Sequence, residues 1–526
     1  MSDPALARDR GTAARPAARA TWWLLGLCVL AFALRLTSLS RSLFNDETVS
    51  FALSQRGFGH MLGLFGYEAN GAPYPVLLWP VTRIFGTSVE LLRTPALIAG
   101  VASVPALWWA VRGLVAERWV ALLAAALLAL NPMAVWYSQV ARSYAFVVLG
   151  ACLAFGALVR ALERPSRREM WALYAVATAL VAYSDLLAPV IVLPAQLLLA
   201  GRGGAAGVRR TIVALAGAAL LCVPLLVAAI VSLGRRDALY WLPKLDKGLV
   251  ETGLQEFSGG YSGVTAVRWL TLLALLVLSG GATAVLARRR ELRPLVGPGP
   301  AAAIAVALAW GVLAPVLLLV VSAKVAVFWP RYAIVALPGL CVLAALCART
   351  LAEGGVAALR SVAIGSVALL LVVGAYADGK QASATQQDWP PVMSWLRAER
   401  TAGQPIVIDN VLMLPSMGYY DPALRASGGK LVVWEWRDTP LPAGVHGFKD
   451  PTGYGRAANG PPSVALVRGL AREGRGSLWL VFGEVDADEQ GHPAEMAAVR
   501  WVRAHCAVER RTSNGVEALR ARRCSA

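Results

Sequence analysis

Charged residues are scarce in this sequence of 526 residues. They make up 16% of the chain, against roughly 25% in an average soluble domain, while 57% of the residues are apolar. The shortage is concentrated in long apolar runs between residues 22 and 377. The composition therefore excludes an ordinary soluble enzyme and places the N-terminal two thirds of the chain in a lipid bilayer.

Several common chemical motifs are also missing. The seven cysteines have neither CxxC nor Cys/His ligand spacing, so a zinc site or a thioredoxin-like site has no support. No GxSxG, P-loop or GxGxxG motif occurs in a strand–turn–helix context, so hydrolase and nucleotide-binding functions also lack support. Cys506 and Cys524 fall in the polar C-terminal tail and could form a disulfide if that tail is extracytoplasmic.

Long apolar stretches are what the chain does contain. A basic N-terminus, residues 1–20, precedes an apolar run long enough to cross a bilayer, and because no small-residue cleavage site follows we expect an uncleaved first span. The pattern predicts about eleven spans in total. They are residues 22–39, 94–111, 119–137, 144–160, 170–184, 186–200, 211–233, 266–287, 301–321, 331–348 and 359–377.

The basic residues indicate the orientation of these spans. With the N-terminus in the cytoplasm, the inner loops hold nineteen arginines and the longer outer loops hold twelve basic residues. This requires residues 73–86, which are apolar but interrupted by prolines, to form an interfacial helix on the outer surface, since a crossing there would reverse every later loop. We therefore predict a multi-pass inner-membrane protein, and nucleic acid is not an expected partner, because the arginine clusters lie between spans.

The composition changes after Tyr376, where Asp, Gly, Pro and Gln appear. A helical stretch at 391–400 alternates with β-like runs at 405–411, 430–436 and 477–484, which predicts a small α/β domain. An odd number of spans places this domain outside. The predicted divisions are a cytoplasmic segment (1–20), a transmembrane catalytic module (21–377, with its first outer loop at 42–93) and an extracytoplasmic α/β domain (378–526).

Asp46 and Glu47 form an adjacent carboxylate pair directly after the first span. Such a pair at a membrane boundary is costly unless it is solvated or used. One interpretation is a general base with a supporting partner; the other is a helix cap, with Asn45 or Asp46 as the N-cap. A divalent cation could bind here, but two carboxylates alone are a weak signal, and no cofactor is predicted with certainty.

Three arginines on the predicted outer side form a second group: Arg93, Arg142 and Arg331. Each lies at the boundary of a span, where a guanidinium needs an anionic partner or must reach the lipid headgroups. Three such residues on the side of a carboxylate pair would suit a phosphate, which arginine binds in bidentate fashion. Snorkelling to headgroups remains the alternative for each arginine taken singly.

Four further residues are candidates for substrate binding. Tyr144 and Tyr332 each lie within two residues of an arginine, although aromatic belts also place tyrosine at membrane interfaces. Asp185 lies at the outer end of a span, where it could bind a sugar hydroxyl or simply be solvated. His60 is the only histidine of the membrane-associated region, and a lone histidine is usually structural.

Taken in order, these segments resemble a known family. Asn45-Asp46-Glu47 after the first span, LLRTPAL around Arg93, YSQVARSYA at 137–145 and PRY at 330–332 are similar to the GT-C membrane glycosyltransferases. The similarity is to the glycosyltransferase family 39 type, which includes protein O-mannosyltransferases and aminoarabinose transferases of lipid A. It covers residues 22–377 and, in a general way, the C-terminal domain.

The resemblance implies an inverting transfer of a sugar from a polyprenyl-phosphate donor to a lipid, polysaccharide or protein acceptor on the outer face. It makes Asp46 the base and Glu47 its support, and it places Arg93 near the donor phosphate, with Arg142 and Arg331 near the same pocket. Two departures leave the sugar and acceptor open. The family's basic residue before its Pro-Pro motif is missing at Asn70-Gly71-Ala72-Pro73, and Ser184-Asp185 stands where relatives often have Thr-His.

Two other classes of function remain open. A polytopic transporter or lipid flippase would show intramembrane charges and inverted repeats, and few ionisable residues lie at mid-span depth here. A non-catalytic envelope scaffold would use the outer domain for binding and would tolerate neutralisation of Asp46.

Overall fold

The computed structural model describes residues 4–64, 71–233, 242–292, 299–409, 413–426, 431–434, 458–460, 463–483 and 493–525. The chain divides into two compact units. The first comprises Met1–Leu39, Phe65–Leu77 and Arg93–Ala384, and the second comprises Ser40–Leu64, Leu78–Leu92 and Thr385–Ala526. The domain boundaries predicted from the sequence remain predictions.

Helices make up most of the described residues. In chain order they are α1 (Pro4–Leu36), α2 (Asn45–Ser54), α3 (Phe58–Leu64), α4 (Pro73–Ile84), α5 (Val89–Leu114), α6 (Arg118–Ala129), α7 (Pro132–Tyr137), α8 (Tyr144–Glu163), α9 (Arg168–Ser184), α10 (Ala188–Ala200), α11 (Gly204–Leu221), α12 (Val223–Leu233), α13 (Lys247–Gly259), α14 (Thr265–Arg288), α15 (Pro300–Leu308), α16 (Ala314–Ser322), α17 (Leu337–Ala352), α18 (Ala357–Gln381), α19 (Trp389–Glu399), α20 (Met413–Tyr420), α21 (Ala423–Ala426), α22 (Val464–Glu473) and α23 (Pro493–His505). Short 3₁₀ segments span Gly201–Gly203 and Pro330–Ala336, and a π-helical turn spans Ala309–Leu313.

Eight helical segments in the described residues are long and apolar enough to cross a membrane. They are Arg19–Leu36, Val89–Leu114, Tyr144–Glu163, Ala188–Leu221, Thr265–Arg288, Pro300–Ser322, Pro330–Ala352 and Ala357–Gln381. The predicted polytopic helical fold is confirmed, although the number of spans that qualify is smaller than eleven. The reasons are local. α6 ends before the Asn131-Pro132 turn, α9 is only 17 residues long, and α10 and α11 run together through a 3₁₀ turn.

A pair of glycines allows a close helix approach in the first unit. A Cβ atom on Gly339 of α17 would lie 2.6 Å from the backbone nitrogen of Gly311, and one on Gly311 would lie 2.6 Å from that of Leu340. The π-helical turn therefore packs backbone to backbone against the start of α17. Beside this contact, the Trp310 ring stacks on Phe155 with centroids 4.4 Å apart.

The sequence prediction of a helix at residues 73–86 agrees with α4, which spans Pro73–Ile84. Pro73 and Pro75 fall in its first turn, where the backbone N–H that proline lacks would have no helical partner, whereas Pro80 lies inside the helix. The predicted location of this helix at the membrane surface remains a prediction.

A six-stranded sheet forms the centre of the second unit. Its strands are β1 (Ile406–Ile408), β2 (Leu431–Trp434), β3 (Ala458–Gly460), β4 (Leu478–Gly483), β5 (Ala507–Ser513) and β6 (Val516–Arg522), in the order β3-β2-β1-β4-β6-β5. The strands from β3 to β4 are parallel, and β6 pairs antiparallel with β4 and β5. One face packs on α19 and α20 around Trp389 and Trp479, and the other packs on α22 and α23 around Trp434. The predicted small α/β domain is confirmed.

A disulfide links the ends of β5 and β6, the two neighbouring strands at one edge of this sheet. Cys506, which precedes β5, is bonded to Cys524, which follows β6. The sequence showed only that these two residues could pair. The other five cysteines are free.

Candidate active site

The acidic pair lies in the first turn of α2. The helix begins at Asn45, and Phe44 is its N-cap residue. The interpretation that Asn45 or Asp46 is the N-cap is therefore wrong. Glu47 is fully buried, and its Oε2 accepts a hydrogen bond from the backbone N–H of Phe44 at 3.2 Å. Asp46 is half-buried. Glu47 thus closes the first turn and fixes the backbone from which Asp46 projects.

Side chains from the C-terminal part of the second unit hold this turn. Gln387 Oε1 accepts from the Asn45 backbone N–H at 2.8 Å, and Ser416 Oγ donates to Asn45 Oδ1 at 2.8 Å. The hydroxyls of Ser416 and Thr48 are 2.7 Å apart. All four side chains are buried, so the network is shielded from competing water.

Tyr420 holds the residues just before α2. Its Oη accepts a hydrogen bond from the Leu43 backbone N–H at 2.6 Å and lies 3.0 Å from Ser42 Oγ. Ser42 Oγ in turn accepts from the backbone N–H of Trp389 at 3.2 Å. These residues could not be recognised from the sequence, because partners more than 340 residues away carry no local signal.

Arg93 and Arg142 lie in the first unit in different environments. Arg93 is fully buried, and its Nη1 donates to the Leu39 carbonyl at 2.9 Å, three residues beyond the end of α1. The Arg142 guanidinium lies beside Gly71, which precedes α4, and Ser143 Oγ donates to the Gly71 carbonyl at 2.9 Å. Gly71 has a φ of 84°, a conformation that suits glycine.

Arg331 and Tyr144 come together. Arg331 is half-buried, and its guanidinium carbon lies 5.7 Å from the centre of the Tyr144 ring and 5.6 Å from that of Trp329. Tyr332, the next residue, is buried. Aromatic faces beside a guanidinium limit its hydration, and a weakly hydrated guanidinium attracts an anion more strongly. The sequence associated Tyr144 with Arg142 and Tyr332 with Arg331, so the contact between Tyr144 and Arg331 is one that the sequence did not predict.

A buried carboxyl that the sequence did not point to, Glu256, lies on α13, which packs against the segment that carries the same arginine. Tyr137 Oη donates to Glu256 Oε2 at 3.2 Å, and the hydroxyls of Tyr137 and Tyr261 are 3.1 Å apart. Burial raises the pKa of Glu256 to about 7, while the Arg331 guanidinium and the two tyrosine hydroxyls act in the opposite direction. The sequence signal was an acidic residue on a short helix between two spans, with tyrosines on both sides.

Proteins with a related sequence or fold are known. A family model described as dolichyl-phosphate-mannose-protein mannosyltransferase matches residues 73–231. No curated protein sequence matches the chain. The crystal structure of ArnT from Cupriavidus metallidurans in the apo state is similar over 96% of this chain and 98% of that one, with 15% identity and a TM-score of 0.54. The structure of the same protein bound to undecaprenyl phosphate gives the same coverage, 12% identity and a TM-score of 0.55.

The chain has the GT-C fold. The resemblance predicted from the sequence is confirmed at this level, and the protein is an integral membrane protein with a C-terminal α/β domain. The region matched by the family model contains Arg93, Arg142, Tyr144 and Asp185, whereas Asp46 lies outside it.

The remaining predicted residues of this GT-C protein do not join the clusters described above. Asp185 follows α9, and its Oδ1 accepts from the backbone N–H groups of Leu187 and Ala188 at 2.9 and 3.3 Å, so it caps the start of α10. His60 is exposed on α3. Among the described residues, no group of three or more His, Cys, Asp or Glu side chains could hold a metal ion.

Proposed function

We propose that this protein transfers a sugar from a polyprenyl-phosphate donor to an acceptor hydroxyl at the outer face of the membrane, with inversion at the anomeric carbon. The observation that carries the proposal is the acidic turn, where a half-buried Asp46 projects from a helix start that buried hydrogen bonds hold in place. The similarity of the fold to an ArnT structure that binds undecaprenyl phosphate supports a donor of this class.

In this reaction Asp46 accepts the proton of the acceptor hydroxyl as its oxygen attacks the anomeric carbon. The bond between that carbon and the phosphate oxygen breaks on the opposite side of the sugar ring. Polyprenyl phosphate then leaves with the electron pair, and because phosphate is a good leaving group, cationic stabilisation is sufficient and no strong general acid is needed. Glu47 supports the base through its hydrogen bond to the Phe44 backbone.

The arginines have different parts in the proposal. Arg331, half-buried between two aromatic rings, binds the donor phosphate, and Arg142, beside Gly71, is the second candidate for this contact. Arg93 is fixed to the Leu39 carbonyl and supports the phosphate site chiefly through its charge. Tyr144 and Tyr332 contact the donor next to Arg331, and Asp185 and His60 remain proposed substrate contacts.

The proposed orientation places the N-terminus in the cytoplasm and the C-terminal domain outside. The Cys506–Cys524 disulfide supports it, since disulfides form and persist in oxidising compartments outside the cytoplasm. The acceptor is a lipid, a polysaccharide or a protein, and the sugar is a hexose or a pentose.

The experiment that tests the function measures transfer of labelled sugar from polyprenyl-phosphate donors by purified protein, with wild type compared to Asp46→Asn. We expect Asp46→Asn to lower the rate by about 10²-fold or more while donor binding is retained. Glu169→Gln, which neutralises an exposed carboxyl in the first turn of α9, is the matched control and should transfer normally. Absence of transfer from every donor tested, or full activity of Asp46→Asn, would refute the proposal and favour a transporter.

A further inference from the structure

Glu256 is a buried carboxyl near the C-terminal end of α13, with a hydrogen-bond donor and a cation nearby. Its exposed fraction is 7%, and its Oε2 accepts a hydrogen bond from Tyr137 Oη at 3.2 Å. A buried carboxylate is costly unless hydrogen bonds and an opposite charge compensate it. The described residues provide both, because Tyr137 donates to it and the Arg331 guanidinium lies close enough to favour its ionised form.

The packing of α13 fixes this geometry. α13 packs against the 3₁₀ segment that carries Arg331, and a Cβ atom on Gly253 would come within 3.0 Å of the Phe328 ring. Gly253 and Glu256 are three residues apart and share a helix face, so the same close approach that needs a glycine brings Glu256 toward the arginine.

Aromatic residues enclose the carboxyl and the guanidinium. The rings of Tyr137 and Tyr144 lie 4.8 Å apart, and Tyr144 is also the ring over which Arg331 lies. Tyr261 stacks on Trp136 at 4.2 Å. The cluster therefore has a buried carboxyl near Arg331, and Arg331 itself is half-buried.

We propose that Glu256 is the counter-ion of Arg331 and sets how tightly that arginine holds the phosphate of the lipid donor and of the released polyprenyl phosphate. The inference rests on the proposed function for the identity of the ligand. A counter-ion lowers the affinity of Arg331 for phosphate, and it also speeds release of the product, whose phosphate monoester carries more charge than the diester of the donor.

The test compares binding of undecaprenyl phosphate, with inorganic phosphate as competitor, to purified wild type, Glu256→Gln, Arg331→Gln and the double variant. Glu256→Gln keeps the size of the side chain and an oxygen that accepts from Tyr137, but it removes the charge. At pH 8, above the pKa of the Glu256 carboxyl, we expect it to bind undecaprenyl phosphate about tenfold tighter than wild type, because the field of a nearby carboxylate is lost. We expect Arg331→Gln to bind about tenfold weaker and the double variant to match Arg331→Gln.

Kinetics and controls separate this role from a structural one. In the transfer assay Glu256→Gln should lower both kcat and KM, because product release slows, whereas Glu256→Asp, which retains the charge, should stay closer to wild type. Ser258 lies on the same helix, and among the described residues its hydroxyl donates to the Leu254 and Gln255 carbonyls and to no other group, so Ser258→Ala should change neither parameter. Weaker or unchanged binding by Glu256→Gln, or tighter binding that persists without Arg331, would overturn the inference.

The two proposals fail in different ways. If wild type transfers sugar but Glu256→Gln does not tighten phosphate binding, the counter-ion role is wrong and the transferase proposal stands. If wild type transfers no sugar, the transferase proposal fails, and the binding titrations still decide whether Glu256 opposes anion binding at Arg331. If Glu256→Gln does not fold, two other single variants, Glu256→Asp and Tyr137→Phe, take its place. Tyr137→Phe deletes the hydroxyl that bonds to the carboxylate. Tyr137→Phe should then raise the affinity for undecaprenyl phosphate, and unchanged affinity would count against the counter-ion role.

Discussion

Tyr420→Phe removes a single oxygen from the C-terminal part of the second unit, yet we expect it to slow transfer. The Tyr420 hydroxyl accepts from the backbone N–H of Leu43, two residues before α2, and lies 3.0 Å from Ser42 Oγ. Leu43 is fully buried, so water cannot replace the lost acceptor. A buried donor without an acceptor costs about 1–3 kcal/mol.

That cost falls on the backbone that orients Asp46. If the native position of the acidic turn is needed in the transition state, restoring it adds about 1–3 kcal/mol to the activation barrier, which lowers kcat by about fivefold to 150-fold. The assay is transfer of labelled sugar at saturating donor. Tyr419→Phe is the matched control, because it deletes an exposed hydrogen bond to the Thr87 carbonyl and keeps the ring that packs on Phe51. A normal kcat for Tyr420→Phe, or an equal loss in both variants, would refute the reasoning.

Three further predictions concern stability. Replacing Cys506 and Cys524 with serine should destabilise the C-terminal domain by about 3 kcal/mol, the loop-entropy value for a bridge across 18 residues, as measured by denaturant unfolding with and without reductant. Gly339→Val should abolish the close contact of α17 with Gly311 and reduce the yield of folded protein in detergent, whereas an unchanged yield would show that the helices can separate. Burial raises the pKa of Asp185 to about 6, so the folded protein binds the proton of this carboxyl more tightly than the unfolded chain does. The stabilisation of the folded state by the protonated carboxyl is therefore present at pH 4 and is lost as the pH rises through 6. Thermal unfolding of Asp185→Asn should lack this pH dependence.

Much of the fold could be predicted from the sequence, because apolar spans and buried strands leave strong local patterns. The runs at 405–411, 430–436 and 477–484 became β1, β2 and β4. β5 and β6 were missed because they carry the charged residues of AVERRTS and VEALRAR. In β6 the buried Glu517 forms an ion pair with Arg510, and Arg520 forms one with Glu399. The charges of this strand are therefore compensated by partners that no local sequence pattern displays.

The candidate site was predictable only in part. Asp46, Glu47 and the arginines were visible because charges stand out at the ends of apolar spans. Their partners were not visible, since Gln387, Ser416 and Tyr420 are ordinary polar residues of a distant segment. Glu256 was overlooked for a related reason, because its proximity to Arg331 depends on where α13 packs.

The hydrogen bonds that hold the acidic turn also impose an order of events during biosynthesis. Asn45 and Ser416 are separated by 371 positions in the chain. At a synthesis rate of about 5–20 residues per second, Asn45 leaves the ribosome roughly 20–75 s before Ser416 does. During that interval the acidic turn lacks Gln387, Ser416 and Tyr420, which hold it in the finished protein. A nascent or truncated chain that ends before these residues therefore has its Asp46 without a fixed orientation, so any activity that needs this geometry begins only after the last domain has folded.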